Sequence, residues 1–328
     1  MLEHGGKLKQ AAQRYSIALE HWLDLSTGIN PVSWPVPALP PTCWSRLPDD
    51  EDNLIASASA YYGACNVLAV AGSQAAIQTL PQLRKPASRV SVLNPGYAEH
   101  RYAWQRAGHI VTPVCAQNIE AAVATSDVVI LIQPNNPTGV CFPLEQLLTW
   151  QQQLATRDGW LVVDEAFIDA SPLQSLVPHS QQPGLIVLRS LGKFFGLAGA
   201  RVGFVFAHTP LLAQIKTQLG PWTLSTPARW VASAALQDVA WQQKNRQLLQ
   251  QASTRLHDLL NQHGLTPTGG TALFQWVCTT AAQQHHEQLA QHAILTRLFT
   301  DPPSLRFGLP GTETEWKKLR TALTELRR

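Results

Sequence analysis

The sequence predicts an α/β protein in which a large domain carries a mostly parallel sheet covered by helices, beside a smaller α+β domain. Three observations lead there. Short apolar runs of strand length alternate with helical stretches through roughly the first two thirds of the chain, helical periodicity dominates from about 226 to 262, and the remainder mixes short strands with helices. The strands of the large sheet are expected at 68–71, 90–93, 110–113, 128–132, 161–163, 186–189 and 202–206. Their alternation with helices argues for parallel pairing with both sheet faces covered. The Gln-rich stretch 240–262 reads as one long helix joining the two domains. Segments 271–278 and 304–309 supply strands of the smaller domain, and a last helix, 314–327, begins with acids and ends with bases, as the helix dipole favours. The expected large domain is 41–225, with 1–40 and 226–328 forming the small domain and an N-terminal arm. The Pro-rich stretch 31–48 reads as an irregular segment linking that arm to the large domain. No internal repeat is evident.

Composition narrows the class. At 328 residues, 45% hydrophobic and 14% charged, the chain can bury a large core. A formal charge of +3, with no basic run and no helix-turn-helix or zinc pattern, gives no footprint for nucleic acid. The N-terminus has early charges and no long apolar segment, so neither a signal peptide nor a membrane span is expected, and the location read is cytoplasmic. Cys43, Cys65, Cys115, Cys141 and Cys278 are scattered and odd in number, and they read as reduced, mostly core residues. His285-His286 with His292 has the look of a metal cluster, but its polar helical context, Gln283 to Gln288, reads as a solvated face, and no metal is expected.

The chemistry is concentrated in Ser190-Leu-Gly-Lys193-Phe-Phe-Gly-Leu-Ala-Gly-Ala-Arg201. One lysine stands between a hydroxyl and an arginine in a Gly-rich turn after an apolar strand. A lysine amine can form a Schiff base with pyridoxal phosphate, while Ser190 and Arg201 hold its phosphate nearby. Ser190-x-x-Lys193 also matches the nucleophile pattern of penicillin-binding enzymes, but the companion Ser-Asp-Asn and Lys-Thr-Gly elements are absent. A basic surface turn is the remaining alternative for this segment taken alone. Upstream, Val128-Val-Ile-Leu-Ile132 runs into Gln133-Pro-Asn-Asn-Pro-Thr-Gly139, where two prolines fix the backbone around Asn135 and Asn136. A strand end of this kind is where α/β sheets place ligands. A second strand delivers Asp164-Glu165 at its carboxyl end, and Asp164 is the natural anion to face a pyridine nitrogen.

These elements, in this order, resemble fold-type I pyridoxal-phosphate enzymes of the class I/II aminotransferase superfamily over nearly the whole chain. The resemblance implies that Lys193 is the Schiff-base lysine, Asp164 the partner of the ring nitrogen and Asn136 the donor to the ring hydroxyl. It also implies phosphate ligands at Ser190, Arg201 and the turn Gly72-Ser73-Gln74, ahead of a helix over 75–83, with Tyr97 stacking on the cofactor. Two departures weigh against transamination. Phe167 stands where many transaminases have tyrosine, and Leu47 lies where relatives often have a tyrosine that reaches the neighbouring subunit.

The chain ends narrow the resemblance. His4-Gly5-Gly6, Ser26-Thr-Gly-Ile-Asn30-Pro31, Gly-His109 and Arg306-Phe-Gly-Leu-Pro-Gly311 resemble the threonine-phosphate decarboxylase branch of cobalamin biosynthesis. That branch implies a small phosphorylated amino acid as substrate and a homodimer. A phosphate and a carboxylate together call for several cations and donors. His4, Gly5, Asn30, Asn136, Arg297 and Arg306 are the substrate-binding candidates; which arginine takes which anion is left open. The outcome depends on which Cα bond stands perpendicular to the cofactor's conjugated plane. A carboxylate turned out of plane is lost as carbon dioxide, whereas a Cα–H in that position leads to transamination. The nearest rival reading is an aminotransferase acting on a phosphorylated amine such as histidinol phosphate; a non-catalytic pyridoxal-binding sensor is the rival from another class.

Overall fold

The computed structural model describes residues 4–326. In chain order its strands are β1 (Leu23–Asp24), β2 (Val67–Val70), β3 (Arg89–Leu93), β4 (Ile110–Val114), β5 (Val128–Ile132), β6 (Trp160–Asp164), β7 (Leu185–Ser190), β8 (Gly203–Phe206), β9 (Gly269–Thr271), β10 (Phe274–Cys278), β11 (Ile294–Leu295), β12 (Arg297–Thr300) and β13 (Pro303–Gly308). The chain divides into two compact units, one of residues 34–136 and 140–243, the other of 1–33, 137–139 and 244–328.

The larger unit holds a seven-stranded sheet in the order β2, β8, β7, β6, β5, β3, β4. All neighbours pair in parallel except β8, which is antiparallel to both β2 and β7. The expected parallel sheet is therefore present with one reversed strand. β5 and β6 are buried at every position, which is why they read in the sequence as unbroken apolar runs. On one face Val128, Ile130, Val162 and Ile186 pack with Ile77, Leu80, Trp104 and Ile215 in a continuous core. The intervening Val129, Leu131, Leu161 and Val163 are equally buried, and the helices Ile119–Thr125 and Leu144–Ala155 add the buried Ile119, Val123, Leu147 and Leu154.

Division by packing falls at 33/34 and 243/244, where the sequence placed it at 40/41 and 225/226. The helix Thr226–Gln237 packs within the larger unit: Arg229 makes a two-pronged pair with Asp52, at 2.7 and 2.8 Å, and Gln237 donates to Ser57 Oγ at 2.7 Å. The irregular stretch after residue 33 is anchored in that unit too. Trp34 donates from its backbone to Phe195 O at 2.8 Å and from its indole to Asp238 at 3.0 Å.

The smaller unit has a four-stranded antiparallel sheet in the order β12, β13, β10, β9, and a parallel pair of β1 with β11. The expected strand 271–278 is two strands, β9 and β10, joined by a tight turn. The helix Val239–Gln262 is continuous, as its periodicity suggests. The final helix is described over Glu313–Glu325, and the expected end at Arg327 lies outside the described residues. Its start is set by a capping box, in which Thr312 accepts from Glu315 N while Glu315 accepts from Thr312 N. No helix among the described residues is long and apolar enough to cross a membrane.

Candidate active site

The carboxyl ends of β3, β5, β6 and β7 lie along one edge of the sheet, and each leads into a segment that contributes to one cavity. After β5, Gln133 clamps its own loop, donating to Phe142 O at 2.7 Å and accepting from Phe142 N at 3.0 Å. Asn135 donates to Pro95 O at 2.8 Å, which ties this loop to the one carrying Tyr97. Asn136 is left on the cavity wall.

β6 delivers Asp164, which is 3% exposed. One carboxylate oxygen accepts from Ala166 N at 3.1 Å, and the other lies 3.0 Å from His100 Nε2. The carboxylate is thus fixed in orientation by two partners before any ligand arrives. Glu165 turns to the opposite side, as strand alternation requires, and reaches Arg189 at 2.8 Å. The pair of acids expected at this strand end is therefore divided, with only Asp164 on the cavity.

β7 ends at Ser190, and the turn that follows carries Lys193, whose Nζ stands 5.3 Å from the centre of the Phe167 ring. Arg201 adopts a left-handed backbone, φ +54°, just before β8. Its guanidinium lies beside Gly72, where a Cβ would come within 2.8 Å of Nη2. Gly203 has no more room, since a Cβ there would stand 2.4 Å from Ser73 N. Glycine at both positions lets the start of the helix Ser73–Thr79 approach β8 and Arg201. That helix begins two residues earlier than expected and tightens into a 3₁₀ turn over Leu80–Leu83.

Tyr97 closes one side, with its hydroxyl 3.4 Å from Gln74 Oε1. Burial, reinforced by Glu99 and Asp164 and opposed by Arg201, pushes its phenol up to about 12. Ser73, Gln74, Tyr97, Asn136, Asp164, Ser190, Lys193 and Arg201 all line this single cavity, of about 120 Å³, so the structure brings together all eight cofactor candidates.

The substrate candidates other than Asn136 belong to the smaller unit. Arg297 on β12 and Arg306 on β13 are direct cross-strand partners, so the two cations share one face of the sheet. Arg306 is buried and donates to Ser26 O. Burial, aided by Arg297 and opposed by Asp24, pulls its guanidinium down to about 9, which still leaves it charged at neutral pH. The same Ser26 explains the N-terminal glycines. Gly6 N donates to Ser26 Oγ at 2.7 Å, and a Cβ on Gly5 would stand 2.3 Å from Ser26 O. His4, Gly5 and Arg297 line a cavity of about 330 Å³ within this unit. Arg306 and Asn30 are not on its wall. Asn30 is buried, donating to Asn245 at 3.2 Å and accepting from Val32 N at 3.0 Å.

Two further expectations are corrected. Only Cys43 is buried; Cys65, Cys115, Cys141 and Cys278 are exposed, each lying in a loop or at a strand end. The polar face is solvated at Gln283 and Gln284, while His285 and His286 are half-buried, and His286 Nδ1 lies 2.9 Å from Thr296 Oγ1. His292 pairs instead with Glu325 at 3.1 Å.

His100, whose ring lies 3.0 Å from the Asp164 carboxylate, is the contact of this site that sequence reading missed. It lies outside every motif, but it follows Tyr97 by three residues in the first turn of the helix Ala98–Arg106. That spacing puts the two rings on one side, with centroids 6.1 Å apart, and would have been the signal to find it.

Comparison with known proteins agrees with this architecture. Residues 49–323 match the family described as aminotransferase class I and II. The chain is 52% identical over 323 residues to the threonine-phosphate decarboxylase of Pseudomonas aeruginosa, covering 98% of this chain and 97% of that one. It is 40% identical to a threonine-phosphate decarboxylase from Sinorhizobium sp, covering 98% of each. Among solved structures, the histidinol-phosphate aminotransferase of Sinorhizobium meliloti in complex with pyridoxal-5'-phosphate shares the fold, with a TM-score of 0.84 at 21% identity over 99% of this chain and 98% of that one. The chain belongs to the class I and II aminotransferase family.

Proposed function

We propose that this chain is a pyridoxal-phosphate-dependent carboxy-lyase that converts O-phospho-L-threonine into (R)-1-aminopropan-2-yl phosphate and carbon dioxide for cobalamin biosynthesis. The observation that carries this reading is the 52% identity, over 98% of the chain, to a threonine-phosphate decarboxylase. The cavity residues fit the cofactor. An oriented carboxylate, Asp164, and a cationic end formed by Arg201 beside the start of the helix Ser73–Thr79 match its ring nitrogen and phosphate in charge, and the amine of Lys193 matches its aldehyde in reactivity. The missing side chain of Gly72 lets the Arg201 guanidinium seat against the chain there, where a Cβ would stand 2.8 Å from Nη2, and so holds the cation at that end of the cavity.

Bound there, pyridoxal phosphate supplies an electron sink for the pair left when the Cα–carboxylate bond breaks. The protein's residues do the rest. Asp164, held by His100 and Ala166 N, presents its carboxylate to the cavity in a fixed orientation. Ser73, Ser190 and Arg201 bind phosphate, and Asn136 donates to the ring hydroxyl. Lys193 would anchor the cofactor, and its Nζ would hold the proton that returns to Cα. Arg297 and Arg306 hold the substrate's two anionic groups, with His4, Gly5 and Asn30 assisting. Phe167, where many transaminases have tyrosine, offers no second hydrogen bond to the ring hydroxyl beside that of Asn136, which counts mildly against transamination. We infer a homodimer working in the cytoplasm; five free cysteines, four of them exposed, fit a reducing compartment.

A substrate comparison tests the reading. Loaded with pyridoxal phosphate, the enzyme should have a kcat/KM for O-phospho-L-threonine orders of magnitude above that for histidinol phosphate with 2-oxoglutarate. The reverse preference would assign it to transamination of phosphorylated amines.

A further inference from the structure

Behind the cofactor cavity of the larger unit lies a buried cluster of charges that the proposed chemistry does not use. Arg189 is 2% exposed and Glu165 and Asp169 are fully buried. Arg189 Nη1 donates to Glu165 at 2.8 Å and Nη2 donates to Asp169 at 2.5 Å. Glu165 also accepts from Ser175 Oγ at 2.6 Å and from Leu176 N at 2.7 Å. Tyr61 donates to Asp169 at 3.0 Å, and the guanidinium lies 4.5 Å from the centre of the Tyr62 ring. Burial and the charges of Asp169 and Glu165 act in opposite directions on Arg189, with the acids prevailing, so the cation is held firmly.

The connectivity of this cluster matters more than its charge. Arg189 is the residue before Ser190, and Glu165 is the residue after Asp164. Alternation along β6 and β7 sends Ser190 and Asp164 to the cavity and their neighbours to the opposite side. Asp169 belongs to the short turn that follows Phe167, the ring beside Lys193. Tyr61 packs edge-on against Phe195, two residues beyond Lys193, at 5.7 Å. One guanidinium therefore fastens, from behind, the segments that present Asp164, Phe167, Ser190 and Lys193. A planar fork with two separate acid partners fixes direction as well as distance, which an ammonium cannot do.

We propose that Arg189, through Glu165 and Asp169, is a positioning residue that sets how tightly and in what orientation the cavity holds pyridoxal phosphate. This rests on the cofactor reading above and extends it to residues that touch neither cofactor nor substrate.

The test uses the apoenzyme and its reconstitution. Arg189→Lys and Asp169→Asn are compared with wild type and with Leu154→Ala, a core truncation in the helix Leu144–Ala155 that packs against Gly159, ahead of β6, whereas Glu165 follows that strand's other end. Three quantities are read: the pyridoxal-phosphate dissociation constant from tryptophan fluorescence, the absorbance spectrum of the bound cofactor, and the apoenzyme's thermal midpoint. The expected result is cofactor affinity weakened about tenfold or more in both cluster variants, the scale on which outer partners of a binding site act, with an altered spectrum. Leu154→Ala should lower the midpoint and leave affinity and spectrum unchanged. Should Arg189→Lys fail to fold, Asp169→Asn, which keeps shape and removes charge, decides alone. Wild-type affinity and spectrum in a folded cluster variant would overturn the proposal. Failure of the wild type itself to bind the cofactor would overturn the underlying reading instead.

Discussion

Lys193 and Asp164 act in the proposed chemistry through different physical means, and their variants should fail differently. Lys193→Ala removes both the anchoring amine and the proton donor, so turnover should fall by at least about 10²–10⁴-fold, with loss of the covalent cofactor signature in the absorbance spectrum. Asp164→Asn keeps the hydrogen bond to Ala166 N but removes the charge, and kcat should fall by about 10²–10³-fold while the cofactor stays covalently attached. Arg297→Ala should act on binding. Losing one charge-assisted contact to an anionic substrate should raise KM about ten- to a hundredfold. Tyr97 gives a pH prediction. Its phenol is raised to about 12 by burial, so between pH 10 and 12 the unfolded chain has released the proton that the folded one still holds. The contribution is fully present below pH 10 and lost as the pH rises through 12. Urea titrations of the apoenzyme should show stability falling across that window, and Tyr97→Phe should flatten the fall.

Legibility at the level of elements followed burial. β5, β6 and β7 read as strands because a strand buried on both faces is an uninterrupted apolar run. The motifs at their ends were legible for the same reason, since polar residues directly after such a run stand out. Glu165 was harder to place, because two adjacent acids are indistinguishable until strand alternation assigns one to the cavity and the other to Arg189. His100 was invisible because its helix carries no motif and its role exists only through Asp164. The cysteines misled because composition reports a residue's average preference, whereas Cys65, Cys115, Cys141 and Cys278 sit on loops or at strand ends. Helix ends were readable where a cap was present. Thr312 closes a capping box at the start of the last helix, and Thr312→Ala should cost about 1 kcal/mol in a urea unfolding titration.

At the scale of the molecule, the class of fold was readable from the alternation of elements, but the division into units was not. Which helix belongs to which unit depends on contacts far apart in sequence, such as Arg229 with Asp52, and local periodicity does not report them. The same holds for Arg297 and Arg306, whose cross-strand pairing follows from a register that the sequence leaves open. The chain belongs to the class I and II aminotransferase family, yet the proposed reaction releases carbon dioxide and needs no amino acceptor. The most direct test incubates the reconstituted enzyme with O-phospho-L-threonine, with and without 2-oxoglutarate, and assays carbon dioxide and glutamate together. Carbon dioxide released at the same rate in both is the predicted result; glutamate formed only with the oxo acid, and no carbon dioxide, would contradict it.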